Sequence, residues 1–446
     1  MNIIIAGAGD VGFHLAELLS VENKDIILID TNKEVLDYAA SHLDVLTLRG
    51  DSSSIDILKQ ATAYKAKLVL AVTTSEKNNL VTAILAKKLG AKQTIARVSS
   101  TEYLSDEQRE IFQELGIDSL ISPRLLAARE ILRLIKQCSF TDIFEFEGGK
   151  INLVGITLPN NSNLLNRPLS HVLNLESEVA LRPIAILRGQ RTIIPNESTI
   201  MLRNDHIYFV TKKENIETLE NIIGKKKVNV KNVMIAGGTG LALETARILE
   251  KDYNVTLFEK DKDTCKWLAE QLNNTLIING ETSNIDLMVE EGLENMDAFL
   301  ALTPNSETNI ITCLTAKNHG VYKTIAQVEQ KEYTFISQDI GVDTLINKKL
   351  IAANNIFRFV RKGQVEAITS LHGVDAEIIE YIVHKNNQLT KKPIKQLPLP
   401  KKTLIAGIVR GEESIFPTED FQLQMDDRVI IFALPEAIGK LEKLFR

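Results

Sequence analysis

An internal duplication that runs the length of the chain constrains its fold more than any other sequence feature. Residues 4–12 (IIAGAGDVG) return about 230 residues later as residues 234–242 (MIAGGTGLA), a period that suits whole domains rather than solenoid repeats. Further landmarks recur in the same order, among them IARV at 95–98 and IAQV at 325–328. The 446 residues are therefore expected to form two similar halves, each large enough for more than one domain.

The first half opens with the pattern of a strand, a glycine-rich turn and a helix. The apolar run NIIIA is followed by GAGDVG and then by leucines at helical spacing. The first glycine permits a tight turn, the second lets the backbone approach a pyrophosphate, and the third lets the helix pack closely on the strand. The pattern predicts a dinucleotide site with the phosphates at the helix amides, and the alternative is that the glycines serve packing alone. The predicted contacts in this turn are Gly7, Gly9, Asp10, Val11 and Gly12.

Polar residues at the ends of the next apolar runs extend this predicted site. Asp30 follows a second run about 18 residues after the last glycine, where a carboxylate accepts hydrogen bonds from the adenosine ribose and disfavours NADP; the alternative is a solvated strand-end acid. Arg97 lies within an apolar run and is interpreted equally as a phosphate contact or as one partner of an ion pair. Ligands bind at the carboxyl ends of parallel strands. Residues that follow further apolar runs are therefore also predicted contacts: Asp51 and Ser52 for the adenine, and Thr73 and Thr74 for the rim of the site near the phosphates.

The second half repeats this site with replacements that should weaken it. Thr239 places a side chain where the backbone should approach the pyrophosphate, Ala242 loosens the helix packing, and Gln327 replaces the cation of Arg97. In the later loop the comparison aligns Asn309 with Asn78, with one extra residue in the second half. The second-half candidates for a weaker or altered site are Gly237, Gly238, Thr239, Gly240, Glu259 and Glu281.

Each nucleotide-type region is followed by a short β-rich segment, and the two segments match. The predicted fold is α/β: two tandem Rossmann-like parallel-sheet domains (1–139 and 230–364), each followed by a small α+β domain (140–224 and 365–446). The lysine run at 225–227 is interpreted as part of the linker between the halves.

Two further features of the repeat are interpreted structurally. Arg188 and Arg410 each stand beside a glycine at a predicted hairpin and are interpreted as solvated turn residues, with a ligand site as the alternative. An amphipathic helix begins at Ser122-Pro123, and its counterpart carries Leu350. Core packing within the subunit is the simple interpretation, but the apolar stripes are wide enough to pack also against another subunit or the other half.

Composition argues against several classes of function. Lys and Arg number 52 against 58 Asp and Glu, a net charge of −6, so no global positive field attracts nucleic acid. No apolar stretch approaches the roughly 18 residues of a membrane span, so a cytoplasmic location is expected. Cys138, Cys265 and Cys313 are too few and too widely spaced for a disulfide framework or a zinc site, and no metal is predicted.

A catalytic centre is not indicated either. A dehydrogenase needs an acid or base group beside the nicotinamide, whereas the seven histidines form no cluster and no separate substrate domain follows the first nucleotide region. The prediction is a nucleotide-binding protein that is not an enzyme and has no catalytic residues. An NAD-dependent oxidoreductase and a structural adaptor with vestigial sites are the alternatives.

The complete order of these motifs, twice over, resembles the TrkA family of regulatory subunits of Trk-type potassium uptake systems, which are built from two RCK (also called KTN) units. The resemblance implies NAD(H) as the ligand, with ATP or ADP as alternatives, and assembly into a homo-oligomer, expected to be a tetramer. It also implies a location on the inner face of the cell membrane, beside a potassium-translocating membrane subunit that the ring would gate. The family's nucleotide contacts map onto Gly7, Gly9, Gly12, Asp30, Asp51, Ser52, Thr73 and Arg97.

Overall fold

The computed structural model describes residues 2–20, 25–158, 162–170, 181–189, 191–224, 228–330, 333, 341–361, 367–370, 376–384 and 388–445. The chain divides into two compact units, one formed by Met1–Ala128 with Asn347–Val360 and the other by Arg129–Ile346 with Arg361–Arg446. The lysine run at 225–227 lies outside the described residues. None of the helices in the described part of the chain is long and apolar enough to cross a membrane.

A parallel sheet forms the first nucleotide-type region, with the described strands in the order β3-β2-β1-β4-β5-β6. The chain reverses its direction of winding between β1 and β4, which is the topological switch point where open α/β sheets bind ligands. The isoleucines of β1 are fully buried because helices cover both faces of a parallel sheet. The strands are β1 (Asn2–Ala6), β2 (Asp25–Asp30), β3 (Leu46–Arg49), β4 (Leu68–Ala71), β5 (Gln93–Arg97) and β6 (Ser119–Ile121). The helices are α1 (Asp10–Ser20), α2 (Lys33–His42), α3 (Ile55–Gln60), α4 (Glu76–Leu89), α5 (Asp106–Glu114) and α6 (Pro123–Lys136).

The second half repeats this sheet in the order β14-β13-β12-β15-β16-β17, again with parallel pairing. The predicted duplication of a Rossmann-like parallel sheet is therefore confirmed. The strands are β12 (Asn232–Ala236), β13 (Asn254–Glu259), β14 (Thr275–Asn279), β15 (Ala298–Ala301), β16 (Lys323–Gln327) and β17 (Thr344–Ile346). The helices are α8 (Gly240–Leu249), α9 (Lys262–Gln271), α10 (Ile285–Glu290), α11 (Ser306–Asn318) and α12 (Lys348–Arg361).

Two antiparallel sheets make up the small regions, in the corresponding orders β10-β9-β11-β8-β7 and β18-β19-β22-β20-β21. Each has a register shift at the same place in the repeat, beside Pro183 in one sheet and Ile405 in the other. The first sheet comprises β7 (Asp142–Phe146), β8 (Ile151–Thr157), β9 (Leu181–Arg188), β10 (Arg191–Ile193) and β11 (His206–Thr211), followed by α7 (Ile216–Ile223). The second comprises β18 (Ala367–Ser370), β19 (Glu377–Ile382), β20 (Thr403–Arg410), β21 (Glu413–Ile415) and β22 (Arg428–Ala433), followed by α13 (Pro435–Phe445).

The two small sheets share one hydrophobic core. Leu153 and Tyr208 from the first sheet pack in the same buried cluster as Ile378 and Phe432 from the second. Arg182 reinforces this contact by donating a hydrogen bond of 2.8 Å to the backbone oxygen of Ile405. The small regions therefore stabilise each other, and the predicted boundaries of four separate domains stay a prediction.

Both predicted amphipathic helices form, and each is capped by the residue before it. The Ser122 hydroxyl accepts a hydrogen bond from the Leu125 amide at 3.4 Å, and the Asn347 side chain accepts one from the Leu350 amide at 3.2 Å. The first 13 residues of α12, up to Val360, belong to the compact unit of the first sheet. The wide apolar stripe of this helix thus serves packing on the other half of the chain.

The interpretation of Arg188 and Arg410 as solvated turn residues is wrong. Each guanidinium forms a two-bond ion pair with an aspartate that is completely buried, Asp205 in the first half and Asp427 in the second. Sequence spacing does not reveal the pairing because each arginine ends one strand and each aspartate directly precedes another. The three cysteines are buried free thiols.

Candidate nucleotide-binding site

Gly7 directly follows β1 and lies in a turn that only glycine adopts easily. Its φ is +107°, in the region that L side chains avoid, and its amide donates a hydrogen bond of 2.8 Å to the Ile29 oxygen. A Cβ on Gly7 would lie 2.8 Å from the backbone nitrogen of Thr73. This close approach brings together the ends of β1 and β4 and forms the base of the crevice at the switch point.

The next two glycines of the turn differ in what they require. A Cβ on Gly12 would lie 1.8 Å from the Gly7 oxygen, so the first turn of helix α1 can pass this close to Gly7 only with glycine at position 12. A Cβ on Gly9 would meet no atom within 4 Å, and Gly9 and Asp10 are exposed. The fold itself therefore does not require glycine at position 9. The open space at this position is what close approach of a pyrophosphate requires.

Asp30 organises the turn from the end of β2. One carboxylate oxygen accepts a hydrogen bond of 2.7 Å from the Ala8 amide, and the other accepts one of 2.9 Å from the Asn32 amide. The side chain is only partly buried, and each oxygen has a second lone pair available. The carboxylate therefore shapes the loop and still has acceptor capacity for the hydroxyls of a ribose.

A buried asparagine that sequence reasoning missed holds the β4 and β5 ends of the crevice. The Asn79 side chain, 1% exposed, accepts a hydrogen bond from the Thr73 amide at 2.9 Å and donates one of 2.9 Å to the Arg97 oxygen. Asn309 makes the same two kinds of bond, to Thr303 and Gln327. Asn309 thus corresponds to Asn79 without any insertion, and the alignment with Asn78 was wrong.

Arg97 supplies positive charge at the end of β5. No carboxylate pairs with its guanidinium among the described residues, so the ion-pair interpretation finds no support there. Burial lowers the pKa of Arg97 from its ordinary value, and the charge of Arg124 lowers it further. Arg124, exposed in the first turn of α6, was not predicted as a site residue, and its only sequence signal is its place just after the Ser122-Pro123 helix start. An anion bound here would relieve the repulsion between the two cations.

The remaining predicted contacts of the first half lie around this edge in different environments. The Ser52 hydroxyl is buried and lies 3.0 Å from the Thr82 hydroxyl, so it takes part in packing between the loop and α4. Asp51 is exposed and accepts hydrogen bonds from the amide and hydroxyl of Ser53. Thr74 is also exposed. The roles of Asp51, Ser52 and Thr74 in ligand binding stay predictions.

The second-half turn preserves the backbone geometry of the first. Gly237 has a φ of +107° and donates a hydrogen bond of 2.8 Å to the Phe258 oxygen. Glu259 holds this turn as Asp30 holds the first, accepting hydrogen bonds from the amides of Gly238 at 2.6 Å and Asp261 at 2.8 Å. The duplication thus extends to individual hydrogen bonds.

In the second half, the Thr239 side chain stands at the position where the first half has open space at Gly9. The Thr239 hydroxyl donates a hydrogen bond of 2.8 Å to the Leu302 oxygen and accepts one from the Ala242 amide at 3.2 Å, which occupies an amide at the start of α8. Gln327 is 2% exposed and donates a hydrogen bond of 2.8 Å to Glu329. Ala242 is fully buried, so α8 accommodates a methyl group at this position.

The other second-half candidates are dispersed. Glu281 is exposed, with a carboxylate oxygen 4.0 Å from the Lys260 ammonium, and Gly240 begins α8. Binding in the second half stays a prediction.

Across the described ranges, no group of three or more His, Cys, Asp and Glu side chains is placed to hold a metal ion.

Comparison with known families and proteins agrees with this architecture. The TrkA-N domain family matches residues 3–123 and 233–348, and the TrkA-C domain family matches residues 153–224 and 378–446. A Trk system potassium uptake protein TrkA homolog from Archaeoglobus fulgidus is 34% identical over 450 residues, covering all of both chains. Trk system potassium uptake protein TrkA from Haemophilus influenzae is 32% identical, covering 100% of this chain and 99% of its own.

Solved structures show the same fold at lower identity. The crystal structure of the GsuK RCK domain has a TM-score of 0.61 at 14% identity and covers 100% of this chain and 94% of that chain. The GsuK channel bound to NAD has a TM-score of 0.60 at 14% identity, covering 100% of this chain and 78% of that chain. The chain therefore belongs to the TrkA family of potassium uptake proteins, with TrkA-N and TrkA-C domains in tandem.

Proposed function

We propose that the chain is the nucleotide-responsive regulatory subunit of a potassium uptake system and binds NAD(H) in the first-half crevice. ADP and ATP are the alternative ligands. The observation that carries the proposal is the open turn at Gly9, together with the Asp30 carboxylate at the end of β2 and the Arg97 cation at the end of β5, for which the described residues provide no carboxylate partner. GsuK structures bound to NAD and to ADP support this choice of ligands by analogy of fold.

The proposed role is binding without chemistry, in the cytoplasm on the inner face of the membrane. Chains assemble into a homo-oligomeric ring, proposed to be a tetramer, beside a membrane subunit that translocates potassium. A ligand shifts such a ring between two conformations by its difference in affinity for them, typically about 1–3 kcal/mol of coupling. The part of this chain is to hold the diphosphate at the turn of α1 and the adenosine at Asp30.

Calorimetric titration of the purified chain tests the binding step. NADH, NAD, ADP and ATP are titrated separately, and we expect about one strong site per chain because the Thr239 hydroxyl occupies an amide of the second turn and Gln327 supplies no cation there. Arg97→Gln, which installs the residue of the second half, should lower affinity about tenfold or more. Arg109→Gln, an exposed arginine on α5, is the matched control and should bind normally.

Arg97→Gln should not unfold the chain, because it removes a half-buried charge that is repelled by Arg124. An unchanged thermal unfolding midpoint with lost binding would therefore locate the effect in the site. Absence of binding by the wild-type chain to all four nucleotides would contradict the proposal.

Potassium flux tests the regulatory step. The chain is reconstituted with its membrane subunit in liposomes, and flux is measured with and without the nucleotide that binds. We expect Arg97→Gln to abolish the nucleotide-dependent change in flux while Arg109→Gln retains it. Equal nucleotide dependence in the two variants would contradict regulation through this crevice.

A further inference from the structure

A lysine from the second half of the chain lies at the glycine turn of the first half. The ammonium of Lys349 forms a hydrogen-bonded ion pair with the carboxylate of Asp10, 339 residues away in sequence. Both residues belong to the same compact unit. Asp10 is the first residue of α1 and lies inside GAGDVG, so the pair stands at the predicted phosphate position.

The position of Lys349 is fixed by the start of helix α12. The Asn347 side chain accepts hydrogen bonds from the backbone amides of Lys349 at 3.0 Å and Leu350 at 3.2 Å. One turn after Lys349, Ala353 is fully buried, and two turns after it, Ile356 is 1% exposed. The Lys349 side chain is 28% exposed, against 70% for Asp10. The ammonium is therefore presented at the turn by a packed helix and remains accessible to a ligand.

Charge explains why a cation is needed at this point. A carboxylate in the first turn suits the helix dipole of α1, but the same negative charge repels a pyrophosphate that approaches the same amides. Lys349 neutralises Asp10 in the ligand-free chain. A phosphate arriving at the turn competes with this carboxylate for the ammonium, because both are anionic hydrogen-bond acceptors.

The repeat shows that this arrangement is particular to the first crevice. Lys349 occupies the repeat position of Arg124, since both are the second residue of α12 and α6 respectively. The second-half counterpart of Asp10 is Gly240, the first residue of α8, which has no side chain to form an ion pair. Arg124 and Lys349 thus bring two cations, from equivalent helix starts, into the compact unit that contains the open crevice.

We propose that Lys349 is a phosphate-binding residue of the first-half site, exchanging the carboxylate of Asp10 for phosphate oxygens of a dinucleotide or nucleoside diphosphate. The inference rests on the proposed function and deepens it, because the exchange ties helix α12 to occupancy of the crevice. Occupancy is thereby communicated to a helix that the chain builds from its second half.

Matched charge variants test the contact. Lys349→Gln should weaken NADH and ADP binding about tenfold, while binding of adenosine, which has no phosphate, should be unaffected. Lys348→Gln makes the same change in net charge one residue earlier and is the control. Lys349→Arg should retain affinity. Asp10→Asn should tighten NADH binding, because it removes a like charge and releases the ammonium.

The rate of amide hydrogen exchange in α12 tests whether ligand binding acts on this helix through Lys349. A general stabilisation of the chain by NADH would slow exchange in α12 equally in both lysine variants. NADH should slow exchange in residues 348–360 of the wild-type chain and of Lys348→Gln, and should have little effect there in Lys349→Gln. Equal nucleotide affinities for Lys349→Gln and Lys348→Gln would overturn the inference, as would weaker binding by Asp10→Asn. Either of these two outcomes can be observed only if the wild-type chain binds nucleotide. They are therefore distinguishable from failure of the proposed function, in which the wild-type chain binds no nucleotide.

Discussion

The guanidinium of Arg188 forms two hydrogen bonds of 2.8 Å with the carboxylate of Asp205, a side chain with no exposed surface. The same carboxylate accepts a hydrogen bond of 2.7 Å from the Leu202 amide. Arg410 and Asp427 repeat the arrangement at 2.7 and 2.8 Å. Each pair joins the end of one strand to the residue before another strand and so fixes the fold of each small sheet.

Removing one partner of this pair should destabilise the chain strongly. Arg188→Ala leaves the buried carboxylate of Asp205 without its cation, and we expect a loss of about 2–4 kcal/mol in the free energy of unfolding. Urea unfolding followed by circular dichroism measures the change. Arg191→Ala, at an exposed position on β10, should cost less than about 0.5 kcal/mol. Similar losses in both variants would show that the ion pair has no special role.

A buried carboxyl group in the second small sheet should make stability depend on pH. Glu380 is 1% exposed, and Arg428 donates hydrogen bonds to it at 3.4 Å and to Glu147 at 2.7 Å. Burial and then the charge of Glu147 raise the pKa of Glu380 from 4.5 to about 7, against the opposing effect of Arg428.

Because this pKa is higher in the folded chain, the stabilisation from Glu380 is complete below about pH 4.5 and is lost as the pH rises through about 7. Glu380→Gln mimics the protonated group and lacks this loss. Between pH 5 and pH 8 the wild-type chain should lose about 1–3 kcal/mol of unfolding free energy relative to Glu380→Gln. Urea unfolding of both proteins at each pH provides the measurement, and parallel pH profiles would contradict the assignment.

Filling the open space at Gly9 should block the ligand without harming the fold. Gly9→Thr installs the residue found at Thr239, and its Cβ meets no atom within 4 Å. We expect an unchanged unfolding midpoint and a loss of NADH affinity of at least about tenfold, measured by calorimetry. Gly439→Ala on α13, where a Cβ also meets nothing within 4 Å, is the control and should bind normally. Normal binding by Gly9→Thr would place the pyrophosphate elsewhere.

Asp30 should set the preference for NADH over NADPH. Asp30→Asn keeps the size of the side chain but removes the negative charge that repels a 2′-phosphate. We expect weaker NADH binding, because one carboxylate acceptor is lost, and a smaller ratio between the NADH and NADPH affinities. Asp56→Asn, exposed on α3, is the control for net charge. An unchanged ratio in Asp30→Asn would show that the adenosine ribose does not contact Asp30.

Local sequence signals were sufficient to predict the two Rossmann-like sheets and the glycine turns. Gly7 and Gly237 share a φ of +107°, and the apolar runs that precede them form the predicted strands β1 and β12. These features depend on neighbouring residues, since a strand, a turn and a helix start each need only a few positions of suitable type. The duplication then extended one local prediction to both halves.

The sequence by itself therefore determined the repeated strand–turn–helix units and the residues able to line a nucleotide crevice. Tertiary structure alone decided the pairing of Arg188 with Asp205, the role of Asn79 and the arrival of Lys349 at Asp10, 339 residues away. The physical reason is that hydrophobic periodicity encodes which face of an element is buried but not which distant side chain lies against it. Such contacts depend on how complete elements pack. An ion pair that compensates a buried charge can be identified only when the tertiary structure shows which partner lies beside that charge.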